Sequence, residues 1–117
     1  MTSINPKVID ELRALQNSGS PGFLVELIEL FLREAATHVS TLRESLDRRD
    51  ARTFERSAHT LKGSCGNLGA QAMSRICADL QAAGQDADWD RAAALLTGLE
   101  QEFRTVRIEL ESEKGRA

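Results

Sequence analysis

Residues 57–70 read S-A-H-T-L-K-G-S-C-G-N-L-G-A, and their pattern decides the fold. Phe54, Ala58, Leu61, Cys65 and Leu68 recur at spacings of four and three, which is the seam of a helix packed in a bundle. At about 100° per residue, His59 lies roughly 140° from the centre of that seam and is predicted to face water. Lys62 at i+3 and Gly63 at i+4 flank the imidazole on the same outer face, and Gly66 continues the patch one turn on. A glycine inside a helix costs roughly 0.8–1 kcal/mol relative to alanine. Two of them on one exposed face point to a requirement other than helix stability, and close approach by another molecule is the simplest.

Outward from this stretch, the rest of the chain repeats the helical pattern. Asn5-Pro6 reads as an N-cap followed by proline at the first helical position, and Val8, Ile9, Leu12 and Leu15 then make a short helix over about 6–16. Ser18–Ser20 reads as a turn, with Ser20-Pro21 as a second cap-plus-proline start. A long helix follows, with Leu24, Ile28, Phe31, Ala35, Val39, Leu42 and Leu46 inward; Arg48–Asp50 ends it and caps the next in a tight antiparallel connection. The helix bearing His59 is expected to fray around Gly66–Gly69. A fourth, from about Ala70 to Ala83, buries Met73, Ile76, Cys77 and Leu80, with Gly84 as its stop. Asp88 caps a last helix carrying Trp89, Ala92, Leu96, Leu99, Phe103, Val106 and Leu110. Residues 111–117 read as a polar, loose tail.

The predicted fold class is all-α. A single domain, 1–117, is an antiparallel up-down-up-down four-helix bundle over about 21–110, with the short N-terminal helix capping one end. The 117 residues suffice for one modest core. A hydrophobic content of 41% with no Tyr, one Trp and four Phe suits a Leu- and Ala-built helical core. Cys65 and Cys77 both fall on apolar seams, so buried free thiols are expected rather than a disulfide.

Composition also excludes function classes. A formal charge of −3 argues against general nucleic-acid binding. No apolar run approaches the roughly 20 residues that span a bilayer, and no signal-peptide pattern is visible, so the expected location is the cytoplasm. The two His and two Cys lack metal-ligand spacing, so no metal site is expected. His38 lies beside the seam of Ala35, Val39 and Leu42 and reads as a flank or satisfied core residue. The glycines at 63, 66 and 69 are not a nucleotide-binding loop, because the lysine precedes them.

A-H-T-L-K-G-S followed by L-G-A resembles the signature of histidine-containing phosphotransfer (HPt) domains, the relays of multistep two-component signalling. The resemblance implies that His59 is phosphorylated, that Lys62 is its charge partner and that Gly63 is the clearance for an incoming receiver domain. Ser64 and Gly69–Ala70 also match the family pattern. It further implies a monomer that docks receiver domains of a hybrid sensor kinase or response regulator. Such a carrier needs no cofactor of its own, the Mg2+ being supplied with the receiver's aspartate. Some members place a Gln at the position of Gln81 and hydrogen-bond it near the active His, whereas many bacterial members have Glu there; the role of Gln81 stays open at this point. Histidine-kinase dimerisation helices usually place an acidic residue after the His and a proline soon after. Here Thr60 follows and no proline does, so neither autokinase activity nor ATP binding is expected.

The chemistry suits the residues. Imidazole, with an ordinary pKa near roughly 6.5, is mostly unprotonated and nucleophilic at neutral pH. A lysine ammonium at about 4 Å from a unit negative charge contributes roughly 1 kcal/mol in water and about 4 at an effective dielectric of 20. Arg52, Glu55 and Arg56 lie on the turns preceding His59, either as a solvated charged face or as partner-steering groups. The alternative from another class is a helical adaptor without phosphotransfer, in which His59 would be dispensable.

Overall fold

Asn5 and Pro6 start the first helix as their types predict. The Lys7 N–H donates to Asn5 Oδ1 at 3.0 Å, and Pro6 occupies the first turn, where its missing N–H is no loss. The computed structural model describes residues 3–116, and among them there are five helices and no strand. They are α1 (Pro6–Gly19), α2 (Phe23–Arg48), α3 (Ala51–Asn67), α4 (Gln71–Gln85) and α5 (Trp89–Gly115). Helices α2 to α5 close a four-membered ring in which α3 packs on α2 and α4, and α5 on α4 and α2. The inward stripes read from sequence supply the core: Leu24, Ile28, Ala35, Leu42, Phe54, Ala58, Leu61, Leu80, Leu96, Leu99 and Leu110 are fully buried. Val39, Ile76 and Trp89 sit at its margin, half-buried.

Three helices end in one way. Asp50, Ala70 and Asp88 each donate their N–H to a carbonyl five residues back, on Ser45, Cys65 and Ala83, at 2.9 Å in every case. The residue just before each donor, Arg49, Gly69 or Ala87, takes a positive φ of 53, 75 or 51°. This is the left-handed helix stop that glycine adopts without strain; only one of the three carries glycine. Asp50 and Asp88 then serve at once as N-caps of the next helix, accepting from the N–H of Thr53 and Arg91, which makes these connections tight.

The ends differ from the sequence reading in several places. The first helix runs to Gly19 rather than about residue 16. Ser20-Pro21 does not start α2. The Ser20 carbonyl accepts from the Phe23 N–H at 3.2 Å and Gly22 has φ 78°, which is a type II turn with proline and glycine at its two central positions. The helix begins after it, and the Gln16 side chain accepts from the Leu24 N–H at 2.8 Å. Gly84 does not stop α4 but lies inside it, buried against Phe54, whose Cδ1 would stand 2.9 Å from an added Cβ. The end of α3 does agree with that reading: the helix stops at Asn67, within the Gly66–Gly69 stretch.

Residues 111–115 are not a loose tail: α5 continues through them to Gly115. Glu113 pairs with Arg13 of α1 at 2.8 Å, and Lys114 and Arg116 pair with Glu111 and Glu113. Ala117 lies outside the described residues. The same side of the bundle holds the N-terminal segment, where the N–H groups of Ser3 and Ile4 donate to the Glu109 carboxylate and the Asn5 N–H donates to the Gly69 carbonyl. An added Cβ on Gly69 would stand 2.9 Å from Val8 Cβ, so this glycine serves the docking of α1, away from His59. None of the helices is long and apolar enough to cross a membrane among the described residues.

Candidate functional site

Helix α3 buries Phe54, Ala58, Leu61 and Cys65, and that fixes its rotation. His59 is thereby exposed. A helical side chain leans toward the N-terminus of its helix, so the imidazole lies over the preceding turn. There it joins Arg52, Glu55, Arg56 and Gln81 around one shallow depression. Its Nδ1 lies 3.4 Å from Gln81 Oε1 on α4. With the proton on Nδ1, that carboxamide oxygen can accept it and the lone pair stays on Nε2. One turn back, Gln85 Nε2 donates to Glu55 Oε1 at 3.0 Å. Two rungs thus tie α3 to α4 beside the imidazole and partly occupy the one carboxylate lining the depression.

The other candidate residues distribute around α3. Gly63 and Gly66 are exposed, and an added Cβ on either would meet nothing within 4 Å; they leave an open, flat surface on the C-terminal side of His59. Lys62 is half-buried on the α4 side, where its backbone carbonyl accepts from Ser74 Oγ at 3.1 Å. Among the described residues its ammonium has no ion-pair partner. Arg56 is exposed, on the α2 side of His59. Ser64 is not brought to the imidazole. Its hydroxyl donates to the Thr60 carbonyl at 3.3 Å, and it lines a separate groove with Leu27, Leu30 and Phe31 of α2.

His38 has a different setting. Its Nδ1 lies 3.1 Å from Ser57 Oγ across the α2–α3 interface, the satisfied flank position expected from its register. Cys65 and Cys77 are buried free thiols. Cys65 is pushed far above the ordinary thiol range, first by its hydrogen bond with Cys77 and then by burial, so it stays protonated and unreactive. Among the described residues no three His, Cys, Asp or Glu side chains converge as a metal site would require.

Sequence reading missed the Glu55–Gln85 rung and the packing role of Gly84. A signal for the rung exists. His59 and Gln81 stand equally far from Ala70, as do Glu55 and Gln85, so a hairpin folded at Gly69–Ala70 places both pairs face to face.

The sequence profile described as Hpt domain matches residues 26–108. Histidine-containing phosphotransfer protein 2 of Arabidopsis thaliana is 26% identical over 104 residues, covering 86% of this chain and 67% of the relative. Pseudo histidine-containing phosphotransfer protein 1 of Oryza sativa subsp. japonica is 25% identical over 104 residues, covering 87% and 56%. The chain thus spans between about half and two thirds of these plant relatives. Among solved structures, histidine-containing phosphotransfer protein B of Pseudomonas aeruginosa PAO1 superposes with a TM-score of 0.87 at 27% identity, covering 98% of this chain and 96% of that one. Histidine-containing phosphotransfer protein ZmHP2 from maize gives 0.87 at 28% identity, covering 94% and 81%.

Proposed function

The chain belongs to the Hpt domain family, and from that premise we propose that it relays a phosphoryl group between receiver-domain aspartates, with His59 as acceptor and donor. Proteins of this family carry phosphoryl groups and are not kinases. The observation that supports His59 in this role is its exposed imidazole, with Nδ1 held by Gln81 and Nε2 left free beside an open glycine face.

In the forward step the Nε2 lone pair attacks the phosphorus of a receiver's aspartyl phosphate. The N–P bond forms as the P–O bond to the aspartate breaks, and the carboxylate leaves as an anion. The reverse step returns the group to a second aspartate. The transferring phosphoryl has a loose transition state, so positioning and charge do most of the work. The ring becomes cationic as the N–P bond forms, and the Nδ1–H then donates more strongly to Gln81 Oε1. Gly63 and Gly66 let the receiver's backbone approach, and Lys62 adds positive charge beside the arriving group. The aspartate and its Mg2+ belong to the receiver, so His59 needs no cofactor from its own chain.

Two rice relatives are named as pseudo phosphotransfer proteins, so a second reading has an observation behind it: a helical adaptor that binds receivers without carrying phosphate. One experiment separates the two. The protein is mixed with a phosphorylated receiver domain and the label on it is followed. Phosphotransfer predicts an acid-labile, alkali-stable label that His59→Gln abolishes at unchanged helical content. Absence of label on the wild type, persistence in the variant, or label on His38 refutes the assignment.

A further inference from the structure

Arg56 and Lys62 stand on opposite flanks of His59. Lys62 follows at i+3 on the α4 flank, where Ser74 of α4 bonds its carbonyl. Arg56 precedes at i−3 on the α2 flank, where it also lines a groove with Thr37, His38 and Thr41 of α2. The imidazole is not symmetric between them. Nδ1 is turned to Gln81 on α4, so Nε2, across the ring, is turned away from α4. The imidazole leans toward the N-terminus of α3, over the depression that Arg56 and Arg52 line and Lys62 does not.

Resting on the phosphotransfer reading, we propose that Arg56, rather than Lys62, is the positioning residue that holds the phosphoryl oxygens on Nε2 of phosphorylated His59. A guanidinium suits this task because its planar fork can donate two parallel N–H bonds to one phosphoryl group. Among the described residues Arg56 makes no ion pair. The charged groups lining the depression are Arg52, Glu55 and Arg56 from α3, and α4 contributes the neutral Gln81. Glu55 is already engaged by Gln85 of α4. Net charge around the bound group is therefore positive and comes from the turns before His59. Lys62 is left free to meet the receiver.

The test uses the protein phosphorylated from a receiver domain, separated from it and followed by 31P NMR as pH is varied. An adjacent cation favours the dianionic phosphoryl group and lowers the pH at which it loses its last proton. Arg56→Gln is expected to raise that midpoint by about half a pH unit, with Arg56→Lys recovering part of the shift and Lys62→Gln moving it less. A role confined to helix stability would leave the midpoint in place. An unchanged midpoint in Arg56→Gln, or an equal or larger shift in Lys62→Gln, overturns the assignment while phosphotransfer itself stands. A wild type that takes no label overturns both.

Discussion

Gln81 Oε1 and His59 Nδ1 meet at 3.4 Å across the α3–α4 interface, a pairing that favours the proton on Nδ1 and the lone pair on Nε2. The contact is long for a hydrogen bond, which fits a site that tightens when the ring gains charge. Gln81→Leu removes the acceptor while keeping the volume similar. The expected outcome is a shift of the ring toward the Nε2–H tautomer, read from its 15N chemical shifts, and phosphotransfer slowed by roughly tenfold, the rate equivalent of one net hydrogen bond of about 1.4 kcal/mol. An unaltered tautomer ratio would remove Gln81 from the site.

Gly63 separates stability from function. Its position is helical with open space where a side chain would go. Gly63→Gln should therefore stabilise the fold by up to about 1 kcal/mol through helix propensity. The same side chain would stand over the imidazole from i+4, and misplacement of the reacting groups by about 1 Å can cost roughly 100-fold. A melting temperature raised or unchanged, with transfer down at least about tenfold, is expected from one sample. Intact transfer would show that no clearance is needed there.

At the α4 terminus the two adjacent substitutions have opposite signs. Gly84→Ala pushes a methyl to within 2.9 Å of the buried Phe54 ring, and overpacking of this kind costs about 1–3 kcal/mol. Ala87→Gly relieves a positive φ of 51° at a helix stop where glycine is unstrained, and should gain about 0.5–1 kcal/mol. Denaturant melts of the two variants should move in opposite directions. A stabilised Gly84→Ala would mean that Phe54 swings aside freely.

Asp50 makes stability depend on pH. Its carboxylate accepts from the Thr53 hydroxyl at 2.7 Å and the Thr53 N–H at 3.2 Å, and the hydroxyl bond foremost holds it below the ordinary value of 3.8. A group depressed in the folded state stabilises fully above its unfolded value and loses that contribution as pH falls through its folded value. Asp50→Ala should thus melt below wild type at neutral pH, with the gap narrowing only as pH drops beneath about 3.8. A gap that is constant down to strongly acid pH would show that the charge contributes nothing to this cap.

Sequence alone determined the helices, their buried faces and the exposure of His59. Each of these depends on residues a few positions apart, and a period of 3.6 records them directly. Asn5, Asp50 and Asp88 were legible for the same reason, since a cap acts within three residues of itself. What only the tertiary structure decided crosses from one helix to another. Gln81 reaches His59, and Gly84 accommodates Phe54, because the left-handed stop at Gly69 sets the register of α4 on α3. That stop is in turn braced by Asn5 and Val8 of the N-terminal segment. The last turns of α5 carry no apolar stripe beyond Leu110, so nothing local marks them as ordered. They remain helical beside α1, where Arg13 supplies a partner for Glu113 from a residue a hundred positions away in the chain.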